Sequence, residues 1–263
     1  VDKGIYFYGV TLDRNWDDHK IKGMDSNYYL RKIKIEDLNG LISLVPLAEY
    51  GHPAIDENIE NLSWLKKKSE EHMNILKSAM EYSQIIPMKF CTVFYDEKKI
   101  EELLEQNYTR LYEKLEYLSN KEEWSCKLYI DKEKFIEEYK ESKQDLDDIN
   151  GMSKGAAYFK KKKLSNELEE KARKEIYDIS DYIYNRIKEL GMECQRNDNL
   201  GQEITGIEKE MILNTAILID NKKNEKIINK INKEFNKLNN EHIDIECTGP
   251  WPPYNFISTL KIE

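Results

Sequence analysis

Apolar residues along this chain switch between a period of two and a period near 3.6, and the switches mark out its elements. "GIYFYGVTL" is a dense run of aromatic and branched residues and reads as a first strand. The stretch from Asp13 to Ser26 shows no apolar period and reads as loop. "YYLRKIKI" alternates, with Tyr29, Arg31, Ile33 and Ile35 set against Leu30, Lys32 and Lys34. "GLISLVPL" follows, and Asn39-Gly40 between the two predicts the turn of a hairpin. A helix is expected from Asn61 to about Ser83, then a strand over "QIIPMKFCTVFY" with Pro87 at an edge or bulge. A second helix is expected from about Glu97 to Leu118.

The second half has a cleaner order. "EWSCKLYI" is a strand, and a long helix spans roughly Lys154 to Leu190. Its stripe runs through Leu168, Ala172, Ile176, Ile179, Ile183, Ile187 and Leu190, the spacing of a straight α-helix. "GMECQRN" and "MILNTAILID" are strands, the latter central and buried. A helix carrying Ile227, Ile228, Ile231, Phe235 and Leu238 and a last strand "HIDIECTG" complete the set. The pattern predicts an α+β fold in two domains with long helices. Residues 1–120 form an N-terminal α+β domain with a trailing helix, a variant or incomplete ferredoxin-like sandwich. Residues 121–263 form a C-terminal ferredoxin-like domain, β-α-β-β-α-β, ending in a proline and aromatic tail.

Composition narrows the function. A formal charge of −9 argues against nucleic acid as a partner, with Lys160 to Lys163 a local exception that reads first as solvated surface. No apolar run reaches the roughly eighteen residues of a membrane span, and the opening "GIYFYGV" reads as a strand and not a targeting segment. Cys91, Cys126, Cys194 and Cys247 form no CxxC pair and read as reduced, partly buried residues of a cytoplasmic protein. His19, His52, His72 and His242 have no partner at metal-ligand spacing. His72, beside Glu70 and Glu71 on a helix face, reads as structural. Glycine-rich phosphate loops and nucleophile elbows are absent from the sequence. No cofactor, metal site or catalytic residue is expected.

Three of the six prolines, Pro250, Pro252 and Pro253, fall in one short segment with Trp251, Tyr254 and Phe256. Such a segment cannot form an ordinary helix and predicts a stiff, extended ribbon with large aromatics. It either docks a partner or braces its own domain.

With these residues in place, the chain resembles the GvpF/GvpL family of gas vesicle proteins over nearly its full length. "YFYGV" resembles the family's first strand through Tyr6, Tyr8, Gly9 and Val10. "IIPMKFCTVF" resembles a second segment through Pro87, Phe90, Thr92 and Phe94, with Lys89 and Cys91 standing where the family has Arg and Gly. "EWSCKLY" matches a third through Glu123, Trp124, Lys127 and Tyr129, and "GAAYF" around Tyr158 a fourth. "TGPWPPYNF", Thr248, Gly249, Pro250, Trp251, Pro252, Pro253, Tyr254 and on to Phe256, is the most specific match.

The resemblance implies two α+β domains and a non-enzymatic accessory or minor structural protein needed for gas vesicle formation. It implies contacts with the hydrophobic shell protein and other accessory proteins, at the gas vesicle or in the cytoplasm. Two other readings compete with it: a ferredoxin-like binding module of an unrelated complex, and an enzyme with a site between its domains. Oligomeric state is left open by the residues.

Overall fold

Strand β1 (Lys3–Leu12) is buried at nine of its ten positions, so both of its faces are covered. In a strand, neighbouring side chains point to opposite faces. Tyr6 and Tyr8 therefore share one face, where they pack with Leu76 and Ala79. Phe7 lies on the other, close to Ile100 and Leu104 beside Gly40. A computed structural model provides these coordinates and describes residues 2–12, 20–143, 153–190, 193–235 and 242–257. The architecture is α+β, with two sheets and their helices. The chain divides into two compact units, Val1–Glu122 with Pro250–Glu263, and Glu123–Gly249.

In the first unit β1 is flanked by β3 (Leu38–Pro46) and β4 (Ile85–Pro87). The main path also includes β2 (Arg31–Ile35), in the order β2-β3-β1-β4, and β5 (Val93–Phe94) pairs with β1 off that path. Short helices α1 (Leu47–Tyr50) and α2 (Ala54–Glu60) lead into α3 (Leu62–Met80). The Asn61 side chain starts α3 by accepting from the amides of Ser63 and Trp64 at 3.1 and 3.2 Å, a cap worth about 1 kcal/mol. Its apolar stripe then buries His72, Ile75, Leu76 and Ala79.

Three local expectations are corrected here. The hairpin forms, but its turn is at Glu36 and Asp37, with Glu36 at φ 50°. Asn39 and Gly40 lie inside β3, opposite Lys34 and Ile33, because Leu38 is pulled into the core. The helix expected over 97–118 is two helices, α4 (Glu97–Gln106) and α5 (Tyr108–Leu118). Asn107 breaks it by bonding the Leu103 carbonyl through its side-chain amide at 2.8 Å. The strand expected over 84–95 is split into β4 and β5 by an excursion at residues 88–92. Of the Asp13 to Ser26 stretch, residues 13–19 lie outside the described residues, as does Leu238.

The second unit holds β6 (Lys121–Ile130), which begins in the first, together with β7 (Glu193–Arg196), β8 (Glu210–Asp220) and β9 (Ile243–Trp251), in the order β7-β8-β6-β9. β8 is an inner strand and almost wholly buried, as its apolar run requires. Helix α7 (Lys154–Glu189) buries Leu168 and joins the core of the sheet from Ala172 onward, and α9 (Asn224–Phe235) adds Ile228, Ile231 and Phe235. Two helices of this unit were not expected, the single turn α8 (Gln202–Thr205) and α6 (Lys132–Lys143), as α1 and α2 were not in the first. Phe135, Ile136 and Tyr139 attach α6 to the core, but three apolar residues among so many charges carry little periodic signal.

The cysteines give a further correction. Cys126 on β6 and Cys247 on the neighbouring β9 form a disulfide, with Cα atoms 4.3 Å apart, while Cys91 and Cys194 are not disulfide-bonded. Their separation of 121 residues hid the pair from any local motif.

Gly9 is the tightest point of the first sheet. It pairs with Leu41 on one side and Pro87 on the other. A Cβ there would fall against the Ile86 carbonyl oxygen and 2.8 Å from Ile85 Cγ1. Gly9→Ala is expected to destabilise the protein by about 1–3 kcal/mol, read as a lower urea midpoint.

Candidate functional site

Most of the residues singled out in the first unit converge on one place, the excursion between β4 and β5. Backbone bonds hold its ends, Met88 N–H to Tyr8 O at 2.8 Å and Phe7 N–H to Thr92 O at 2.9 Å. Thr92 closes the turn by donating its hydroxyl to the Lys89 carbonyl at 2.7 Å. Cys91 sits at φ 62°, a left-handed conformation that glycine adopts freely and other residues adopt at a cost of about 1–2 kcal/mol. This is the position where the resemblance has Gly. The Cys91 amide is fixed by donating to the Tyr6 hydroxyl at 2.9 Å. Lys89 is exposed, whereas Phe90 packs its ring on His72 with centroids 5.6 Å apart.

His72 of α3 is the hub. Its Nδ1 lies 3.0 Å from the Tyr6 hydroxyl and its Nε2 lies 3.0 Å from the Tyr254 hydroxyl. Tyr254 donates its only hydroxyl proton to the Met88 carbonyl at 3.0 Å. It must therefore accept from His72, which places the ring proton on Nε2. Nδ1 is then an acceptor and takes the Tyr6 hydroxyl proton. The chain of donors runs Cys91 N–H to Tyr6 to His72 to Tyr254 to Met88 C=O, and both ends lie in the same excursion. Every member is satisfied once His72 is neutral. Burial holds His72 down at about 4, against an ordinary 6.5, and pushes the phenols of Tyr6 and Tyr254 up. Tyr8 stacks near His72 and is pinned separately, bonding Ser43 Oγ at 2.7 Å and accepting from the Met24 amide at 2.8 Å.

The tail reaches this hub by the conformation its prolines allow. Pro250 and Trp251 continue β9 in extended form, then Tyr254–Phe256 make one 3-10 turn. The ribbon is thus extended for only part of its length. Pro252 and Pro253 are buried, and Lys77 of α3 stands 3.9 Å over the Trp251 ring. Trp251 and Tyr254 contact α3 at Lys77 and His72, so the tail folds with the first unit, although the sequence reading grouped it with the second half.

The remaining residues fall elsewhere. Gly9 and Pro87 face each other between β1 and β4, and Phe94 meets Phe7 edge-on. Glu123, Trp124, Lys127 and Tyr129 lie on β6, Thr248 and Gly249 on β9. Gly249 approaches Trp124 so closely that a Cβ would sit 2.7 Å from the indole. Tyr158 joins neither group. It is 63% exposed near the start of α7, beside Phe159 at 72%. Sequence reasoning read His72 as a structural residue on its helix face but did not find its partners, because Tyr6 and Tyr254 lie 66 and 182 residues away.

Among the described residues there is no group of three or more His, Cys, Asp or Glu placed to hold a metal, and no helix long and apolar enough to cross a membrane. At the hub, the hydrogen bonds of Tyr6, His72 and Tyr254 are made within the chain itself. The family model described as gas vesicle synthesis protein GvpL/GvpF matches residues 4–258, and the chain belongs to that family. That membership makes it an accessory or structural protein of gas vesicles. It is 24% identical to gas vesicle protein L1 of Halobacterium salinarum, over 97% of this chain and 91% of that one. It is 20% identical to gas vesicle protein L of a Streptomyces species, over 86% and 82%. The crystal structure of gas vesicle protein GvpF from Anabaena sp. PCC7120 shares the fold, with TM-score 0.70, 20% identity and coverage of 97% and 95%.

Tyr254→Phe strips His72 of its acceptor and Met88 of its donor. A loss of about 1–3 kcal/mol in urea denaturation at neutral pH is expected. The depressed pKa of His72 has a signed consequence. Between pH 6.5 and about 4 the unfolded chain binds a proton that the folded one refuses. Stability should therefore fall as pH drops through that window, by about 3 kcal/mol from this group, with no further change below it. His72→Gln should flatten that part of a stability–pH curve.

Proposed function

We propose that this chain is a non-enzymatic assembly factor or minor structural component required for gas vesicle formation, acting at the vesicle or in the cytoplasm. The observation that carries the reading is the family match along residues 4–258. A shell protein with a very apolar surface aggregates in water unless a soluble partner covers it first. A chain with net charge −9 and a set of exposed aromatics suits that task. We read the second unit as ferredoxin-like, on the strand order β7-β8-β6-β9 with α7 and α9 as its crossovers. The first unit repeats that order, counted along its own strands, without a described first crossover helix.

Within this reading the tail is the brace and not the docking element. Its Tyr254 hydroxyl, Trp251 ring and both buried prolines are engaged with the chain's own residues. The partner contact falls instead to the start of α7. Its residues bury nothing fully before Leu168, and Tyr158 and Phe159 stand out in solvent. Exposed neighbouring aromatics supply large contact area at little entropic cost.

The test is capture of the shell protein, co-expressed with tagged wild type, with Tyr158→Ala/Phe159→Ala and with Trp251→Ala. The first variant should fold normally and retain at least about tenfold less shell protein. Folded Trp251→Ala should capture normally or be visibly destabilised. Equal capture by the α7 variant would remove that surface from the reading, and absence of capture by wild type would remove the shell protein as a direct partner.

A further inference from the structure

The disulfide stands out because of what it encloses. Cys126 lies four residues into the second unit and Cys247 two residues before its end, so the bond closes a loop of 121 residues that contains nearly all of Glu123–Gly249. We propose that Cys126 and Cys247 form a thiol–disulfide latch that closes the second unit at its two chain ends and exchanges with low-molecular-weight disulfides and thiols of the glutathione class. This goes beyond the assembly role and does not depend on it.

Three observations carry the proposal. The two sulfurs meet across neighbouring strands β6 and β9, already aligned by the sheet, so forming the bond requires no rearrangement of the chain. The pair is asymmetric. Cys126 is 1% exposed within the core, while Cys247 is half-buried on an outer strand, so an incoming reagent reaches Cys247 first. The two other cysteines do not compete by position: Cys194 lies on β7, which β8 separates from β6, and Cys91 belongs to the first unit. Two buried thiols packed as small apolar side chains would need the core position of Cys126. They would not need a second cysteine directly across the strand at the unit's other end.

The exchange balances. The Cys247 thiolate attacks one sulfur of oxidised glutathione, forming a mixed disulfide and releasing one glutathione thiolate. Cys126 then loses its proton, and its thiolate attacks the Cys247 sulfur and expels the second. Two protein thiols are oxidised, one glutathione disulfide is reduced, and the two protons end on the two released thiols. Reduction is the reverse. The closed form removes freedom from the unfolded second unit as a whole, because all four strands fall within or at the ends of the loop. The dithiol form lacks that constraint. Cys247 also lies just ahead of Thr248 and Gly249, so the latch fixes the register of β9 where the chain turns into its tail.

The experiment uses the full chain. Wild type is equilibrated with glutathione buffers from fully reduced to fully oxidised, and free thiols are counted by alkylation and mass mapping. Two thiols should disappear together, those of Cys126 and Cys247, while Cys91 and Cys194 remain. Proteolysis within the second unit should then be slower in the oxidised form by about 100-fold under native conditions. A Cys126→Val/Cys247→Ser variant keeps an apolar side chain in the core and should be cleaved at the rate of reduced wild type, whatever the buffer. The proposal is overturned if both thiols persist in oxidised glutathione, or if oxidised and reduced wild type are cleaved at the same rate. Both measurements stand on wild type alone, should the variant fail to fold.

Discussion

A single imidazole joins three distant parts of this chain, and it does so only in its neutral form. His72 accepts from Tyr6 on the first strand and donates to Tyr254 on the tail, and both hydroxyls hold the excursion between β4 and β5. Each of these groups is buried or nearly so, which makes an unmade bond there expensive and the made set specific. The arrangement explains why the sheet tolerates an interruption opposite Phe7 and Tyr8. The excursion's own backbone is satisfied at Cys91 and Met88 by side chains from outside it.

The tail is the third participant, and its chemistry follows from that place. Proline at 250, 252 and 253 restricts the backbone before the aromatics arrive, so less freedom is lost when Tyr254 reaches the hub. Trp251 covers α3 one and a half turns away and is met by Lys77. These are contacts of a strap closing on its own unit. Other aromatics are left to solvent, among them the neighbours Tyr158 and Phe159 near the start of α7 and Tyr177 and Tyr182 further along it. Membership in the gas vesicle synthesis protein family spans residues 4–258, and many of the residues that carry the resemblance build the protein's own core and hub.

How far the residues could be read in advance depended on the range of the force involved. Periodicity located α3, α7, β1 and β8 well, because each is ordered by its own apolar pattern. It missed α6, whose three apolar residues are diluted by charge, and ran α4 and α5 together across Asn107. Asn39-Gly40 carried a turn signal, yet burial of Leu38 drew both residues into β3. Cys91 in a left-handed turn was visible only as a departure from a glycine position, and its conformation came with the Tyr6 bond.

By itself, the sequence determined the alternation of strands and helices, the acidic surface, the α+β class and, through "TGPWPPYNF", the family. These are local or compositional properties, set by side-chain period and by rare residues in order. The tertiary structure alone decided that Tyr6, His72 and Tyr254 share one proton chain, and that Cys126 meets Cys247. The reason is common to both: hydrogen bonds and sulfur–sulfur bonds act over a few ångströms, and only the packed sheets bring residues 66, 182 and 121 positions apart within that range.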